Sequence, residues 1–302
     1  VGIGDGPLGL MRPEAPPFGP AFRNMNGPLG RVRNRTLNVV ARRMLGELQD
    51  AYRQVRRDHG LPEPIKWVFD SMVSPHLYLQ GCVPGFEYPF ARVPPQVRFV
   101  GALRPQIPAA WQPPSWWTDL DEGRPLVVVT QGTIRADTNE LIQPAIEALR
   151  DADVDVVVTT GIADPSELGE LPDNARAERF VPYEPLLARA SVFVSNGGYI
   201  GTNLALHHGV PVVQVGNTEE KAEIGRRVEW AGVGIRLPKT QTTPELVARA
   251  VRRVLTDDGY PTRAASLAVE YQRHHATTEI VEHLERLIDR TPAHHLGDGA
   301  HA

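Results

Sequence analysis

From residue 125 to residue 255 the chain repeats one pattern: a short apolar run without alternation, followed by a helical segment. Leu126-Val127-Val128-Val129 opens it, within Pro125–Thr130. A run so uniformly apolar suits a parallel strand buried on both faces. Thr138–Asp151 reads as a helix, Val154–Thr159 as a second strand and Arg179–Val181 as a short third. Glu184–Ala190 is helical, Ser191–Ser195 a fourth strand, Tyr199–His208 a helix and Val210–Val215 a fifth strand. Glu220–Ala231, Gly234–Leu237 and Thr243–Leu255 follow as helix, strand and helix. Strands alternating with helices over this length predict an open, doubly wound α/β sheet.

The first hundred residues differ. Pro7–Gly30 is rich in Pro and Gly and reads as an extended loop. In Arg31–His59, Val32, Leu37, Val40, Met44, Leu45, Leu48, Tyr52 and Val55 recur near the 3.6 period. This predicts an amphipathic helix whose basic residues form a solvated face, ended by Gly60, Pro62 and Pro64. Lys66–Asp70, Pro75–Gln80 and Val97–Val100 are short β-like runs. Pro105–Trp117, with Trp111, Trp116 and Trp117, reads as a linker whose tryptophans anchor it by burial. The 302 residues suit about two domains of roughly 150 each. The expected divisions are a first domain over 1–104, a linker over 105–122, a second domain over 123–260, a helical segment over 261–290 and a disordered tail over 291–302. Val1–Gly4 reads like the end of a buried strand, so a segment is expected upstream of it.

Composition excludes several classes. With 32 basic and 36 acidic residues and a net charge of −4, nothing favours nucleic acid as a partner. No apolar run approaches the ~18 residues that span a bilayer, and no signal peptide is visible. Cys82 is the single cysteine, and no Cys/His cluster has metal-ligand spacing. A cytoplasmic enzyme is expected, and no Asp-rich metal signature is present.

In a doubly wound sheet, ligands sit outside the carboxyl ends of the strands, next to helix N-termini. Three strand ends carry suitable residues. Gln131-Gly132-Thr133 follows the first strand; Gly lets backbone approach a ligand and Thr offers a hydroxyl, though an ordinary β–α turn reads the same way. Ser195 to Thr202 holds glycines at 197, 198 and 201 at the start of a helix. Unpaired N–H groups and a partial positive charge there suit a diphosphate; the alternative is a tight turn packing helix onto sheet. Gly216–Lys221 brings charge to the mouth of the sheet, as either a grip on a polyhydroxylated ligand or a solvated helix start.

The ordered series Phe180-Val181-Pro182-Tyr183, Leu186-Leu187, Asn196-Gly197-Gly198, Leu206, His208–Val213, Arg227-Val228 and Gly232-Val233-Gly234 resembles the C-terminal domain of GT-B nucleotide-sugar glycosyltransferases. It is most similar to the bacterial macrolide and natural-product branch of the UDP-glycosyltransferase superfamily. The resemblance runs from about Pro125 to Leu255 and continues more weakly upstream through Arg31–Leu103. It implies two Rossmann-like domains facing a cleft, the N-terminal one incomplete here, with the acceptor-binding domain first and the nucleotide-sugar domain second.

The resemblance also implies roles. Val181 would meet the nucleotide base through its backbone. Asn196, where the family usually has a His, would hold the diphosphate with Gly197, Gly198, Gly201 and Thr202, while Gly132 and Thr133 face them from the neighbouring loop. Glu220 and Lys221 stand where an Asp-Gln pair usually reads the sugar hydroxyls, and Leu204 where a Glu commonly binds the ribose. The implied activity is inverting transfer of a sugar from a UDP- or dTDP-linked donor to a hydroxyl of a small acceptor: a polyketide, a lipid or another hydrophobic alcohol. The base of such enzymes is commonly a His near the first strand; His76 does not match it, so the base is expected upstream of Val1. Two other readings stay open, a nucleotide-sugar epimerase of the same fold and a nucleotide-sugar-binding protein without transfer activity.

Overall fold

The structure, a computed structural model, describes residues 1–64, 66–120, 123–132, 137–216, 220–237 and 242–289. Strand β1 (Gly2–Gly4) opens the chain. Helices α1 (Gly27–Met44), α2 (Gly46–Asp58) and α3 (Val68–Ser71) precede β2 (Tyr78–Gln80) and β3 (Val97–Phe99). The three strands form a parallel sheet in the order β1-β2-β3.

Two expectations for this region change. The helix predicted over 31–59 is two helices, broken at Leu45, and its large apolar residues are not its buried ones. Val32 is 60% exposed and Met44 78%, whereas Asn34, Asn38 and Ala41 are buried. The asparagines face inward because they bind the preceding loop: Asn34 donates to the Pro13 carbonyl at 3.2 Å and Asn38 to that of Arg12 at 3.1 Å. The run Lys66–Asp70, expected as a strand, contains the start of α3 instead.

The second half builds a six-stranded parallel sheet. It comprises β4 (Leu126–Thr130), α4 (Ile142–Leu149), β5 (Asp155–Thr159), β6 (Ala175–Glu178), α5 (Tyr183–Leu187), β7 (Val192–Ser195), α6 (Tyr199–His207), β8 (Val212–Val215), α7 (Lys221–Ala231), β9 (Gly234–Leu237) and α8 (Pro244–Thr256). The strand order is β6-β5-β4-β7-β8-β9, which by position in the unit is 3-2-1-4-5-6, the Rossmann order. The four β-branched runs β4, β5, β7 and β8 are buried along their whole length. One apolar cluster, with Val128, Phe193 and Val212, lies on one face, and a second, with Val127, Val129 and Val213, on the other. The third strand lies at Ala175–Glu178, not at the expected Arg179–Val181. It is an edge strand, and its Arg176 and Glu178 alternate outward, so it carries no apolar run to reveal it.

Helices α9 (Gly259–Tyr271) and α10 (Ala276–Asp289) close the described chain, broken between Gln272 and His275. Helix α10 returns to the first sheet, where Ala276, Ile280 and Leu284 pack on Leu77, Leu79 and Val100. The predicted tail over 291–302 lies outside the described residues. No helix of the described residues is long and apolar enough to cross a membrane.

Candidate functional site

The sheet changes winding direction between β4 and β7, and the loops leaving their carboxyl ends diverge there. Thr130 and Ser195 are paired in register at this point. Beyond them the Asn196 side-chain amide donates to the Gln131 carbonyl, which ties the two loops together. Gly132 has φ +84° and lies against the Asn196 amide group, with its N–H on the Thr130 hydroxyl at 3.3 Å. Tyr183 donates to the same hydroxyl at 3.3 Å, so α5 is held to the end of β4.

The neighbouring turn is fixed by contacts that no side chain would allow. Gly197 has φ +90°, and a Cβ there would run into the Gln214 side chain. Gly216 has φ +134°, and a Cβ there would meet the Asn196 carbonyl oxygen. Gln214, fully buried in β8, donates to the carbonyls of Gly216 and Lys221, both at 3.1 Å. It thereby sets the two ends of the loop before α7. Gln214 carries no signal in the sequence, because a lone Gln in an apolar run has no motif.

Helix α6 starts at Tyr199, with Gly198 as its extended N-cap residue. Its first-turn N–H groups have no carbonyl within the helix to reach, so they point out of its end. A Cβ on Gly198 would meet nothing within 4 Å. Gly201 packs on the rings of Tyr183 and Phe193, with close approaches of 3.3 and 3.4 Å for an added Cβ, so packing alone accounts for that glycine. The Thr202 hydroxyl is buried and donates to the Gly198 carbonyl at 2.9 Å, while the Gly197 N–H donates to Ser195 Oγ at 3.1 Å.

A cavity of about 200 Å³ adjoins this point. Thr130, Gly132, Val181, Tyr183, Ile200 and Leu204 line it, with Phe180 exposed at its edge and Pro105–Ile107 of the linker opposite. Ligand pockets usually measure roughly 300–1,000 Å³, so this one suits one end of a larger molecule. Glu220 and Lys221 lie across the turn at the start of α7, with Lys221 buried. Thr133 lies outside the described residues. The structure therefore places Gly132 and Val181 on the cavity, Asn196 and Gly198 beside them through the Asn196–Gln131 tie, and the buried Gly197, the Cα face of Gly201 and the Thr202 hydroxyl one layer behind.

A second group, also without a local motif, underpins the crevice. Arg227 of α7 binds Glu87 with Nε at 2.9 and 3.0 Å, Glu223 at 3.3 Å and the Leu8 carbonyl at 3.3 Å. Glu223 Oε1 accepts the N–H groups of Gly19 and Ala21, both at 2.9 Å. Desolvation pushes the Glu87 carboxyl upward, but the charges of Arg227 and Arg12 outweigh it and hold it below the usual range. The Pro-rich loop is thus fastened to the helix that follows the crevice. His208 meets Glu184 at 3.3 Å, and burial lowers the pKa of both His207 and His208. Trp116 donates to Glu178 at 3.0 Å and Trp111 and Trp117 pack edge to face, which fixes the linker.

Comparison with known proteins agrees with this architecture. The chain is 43% identical over 277 residues to the 4'-demethylrebeccamycin synthase of Lentzea aerocolonigenes, covering 91% of this chain and 65% of that protein. Among solved structures, a spinosyn rhamnosyltransferase complexed with thymidine diphosphate superposes with a TM-score of 0.63 at 25% identity, over 77% of this chain and 60% of that one. A calicheamicin glycosyltransferase gives a TM-score of 0.64 at 23% identity, over 85% and 60%. The chain thus spans just under two thirds of the length of the curated relative. The fold is the GT-B fold of these glycosyltransferase structures. Residues 143–287 match the family model of the erythromycin biosynthesis protein CIII-like C-terminal domain.

Proposed function

We propose that this chain binds a nucleoside-diphosphate sugar, UDP- or dTDP-linked, in the crevice between β4 and β7, as the donor side of an inverting glycosyltransferase. One observation carries the reading. Gly132, Asn196 and Gly198 converge where the sheet changes direction, beside an outward-pointing helix N-terminus and open space. The diphosphate lies against the first-turn amides of α6, including that of Gly201, and against the Asn196 amide. The base enters the cavity beside Val181, and the sugar extends toward Glu220 and Lys221. Thr202 acts indirectly, by fixing the Gly198 carbonyl.

In this reading an acceptor oxygen attacks the anomeric carbon as the diphosphate leaves from the opposite face. Charge growing on the leaving phosphate is met by fixed N–H dipoles that need no reorganisation. The residues of this chain named above act on the leaving group, and none of them serves as the base. The acceptor is a small hydrophobic alcohol. No metal ion or cofactor is required, and the enzyme acts in the cytoplasm; fractionation of the producing cells checks the latter.

Calorimetric titration with UDP, dTDP and GDP tests the donor site. Saturable binding of at least one diphosphate, weakened by Asn196→Ala, supports it. A cooperatively folded chain that binds none of the three overturns it.

A further inference from the structure

The linker does more than join two sheets. Arg104 Nε and one terminal nitrogen reach the two Glu184 carboxylate oxygens at 2.8 Å each, a two-point pairing that fixes direction as well as distance. Glu184 stands on α5, directly after the Val181–Tyr183 stretch that lines the base-side cavity, and lines that cavity itself. The three residues after Arg104, namely Pro105, Gln106 and Ile107, form the opposite wall. Farther along, Trp116 is bound to Glu178, and Arg189 donates to the carbonyls of Trp117 at 3.0 Å and Leu120 at 3.1 Å. The linker is therefore pinned on both sides of the segment that covers the cavity.

The chemistry of the walls says which part of a ligand belongs there. Ile107, Phe180, Val181, Ile200 and Leu204 are apolar and suit a flat heterocycle, and the lining's Arg179 is paired with Asp164 at 2.7 Å. Gln106 lines the same cavity, and its side-chain amide can both donate and accept hydrogen bonds. Such a group can distinguish the carbonyl and N–H edges of one base from those of another, because a mismatched edge leaves a polar group unpaired.

We propose that the linker reads the nucleotide base, with Gln106 as the specificity-determining side chain and the Arg104–Glu184 pair as the positioning element that holds it against the cavity. This deepens the donor-site reading and rests on it. It predicts that selectivity among bases, and not only affinity, depends on two residues outside the sheet that grips the diphosphate.

The test is the set of dissociation constants for UDP, dTDP and GDP with the whole chain, with Gln106→Ala, with Arg104→Ala and with Arg104→Lys, alongside each melting temperature. Gln106→Ala is expected to compress the ratio between the tightest and weakest of the three by roughly five- to tenfold, the value of one hydrogen bond. Arg104→Ala compresses it likewise, and Arg104→Lys, which keeps the charge without the fork, falls between. A purely structural linker would weaken all three ligands alike and leave the ratio unchanged, and that result overturns the proposal. Equal affinity of the unsubstituted chain for all three bases overturns it too. A folded chain that binds none of them removes the donor-site reading itself and this inference with it. Gln106 is exposed, so its substitution decides the matter even where the Arg104 variants do not fold.

Discussion

Arg227 holds both carboxylate oxygens of Glu87, with Nε at 2.9 and 3.0 Å, across 140 residues of chain. The two side chains are 2% and 1% exposed, and the Tyr88 ring lies 4.4 Å from the guanidinium. Arg227→Ala leaves the buried Glu87 carboxylate with Arg12 alone and is expected to cost about 3–5 kcal/mol of stability. Urea denaturation measures it, and a loss below ~1 kcal/mol would show the pair to be solvated.

The same pair sets an acid limit. Arg227 and Arg12 hold the Glu87 carboxyl below its ordinary value in the folded chain. A depressed carboxyl stabilises fully above its unfolded pKa of about 4.3 and loses that contribution as pH falls through the lower folded value. Stability measured from pH 6 downward is therefore expected to fall below about pH 4. Glu87→Gln is expected to remove its share of that slope. An unchanged slope in the variant would assign the acid sensitivity to other carboxyls.

Legibility in the sequence followed local chemistry. The β-branched runs at Leu126, Val156, Val192 and Val212 announce themselves because strands buried on both faces need nothing else. The glycines at 132, 197 and 198 stood out because a costly residue repeated at strand ends asks for a reason. Edge strand β6 stayed hidden behind its Arg and Glu. Period told which residues of 31–59 share a face, but not that the Asn34–Asn38 face would be covered while Val32, Val40 and Met44 stay exposed. The Glu87–Arg227 pair and the linker's place on the cavity depend on contacts far apart in the chain, which no window of sequence contains.

Asn196 joins the two loops and faces the crevice, so its loss acts on binding more than on folding. Asn196→Ala is expected to weaken UDP or dTDP binding about tenfold, the worth of one hydrogen bond to a charged group. Asn196→His adds a group that gains positive charge near pH 6.5 and is expected to bind diphosphate more tightly at pH 6 than at pH 8. Isothermal titration at both pH values reads both effects. A His variant without pH dependence would place residue 196 away from the phosphates.

Two glycines of the same turn separate folding from binding. At Gly216 an added Cβ collides with the Asn196 backbone, and the φ of +134° is itself hostile to a side chain. Gly216→Ala is expected to cost more than 1 kcal/mol of stability. At Gly198 nothing lies within 4 Å and φ is −60°, so the folded chain accommodates the methyl. That open space is where the diphosphate is proposed to lie. Gly198→Ala should therefore leave the melting temperature within a degree or two and still reduce nucleotide affinity several-fold, since a methyl would occupy the approach to the α6 amides. A Gly198→Ala chain that binds nucleotide like its parent would move the phosphates elsewhere in the crevice.

Glu223 latches the Pro-rich loop through two N–H groups at 2.9 Å, those of Gly19 and Ala21, and Arg226 reaches the Ala21 carbonyl at 2.8 Å. The latch holds Ala21 at φ +51°, a conformation that costs a residue with a Cβ about 1 kcal/mol or more. Ala21→Gly relieves that strain but adds backbone freedom to the unfolded chain, so global stability is expected to stay within about 1 kcal/mol. Glu223→Ala removes the acceptor from both N–H groups and from Arg227. The loop between residues 13 and 24 is then expected to become the first site cut by limited proteolysis, ahead of global unfolding. Digestion at matched temperature, with the new N-terminus sequenced, checks the order. Cleavage elsewhere first, with residues 13–24 still protected, would show that Asn34 and Asn38 hold the loop without the carboxylate.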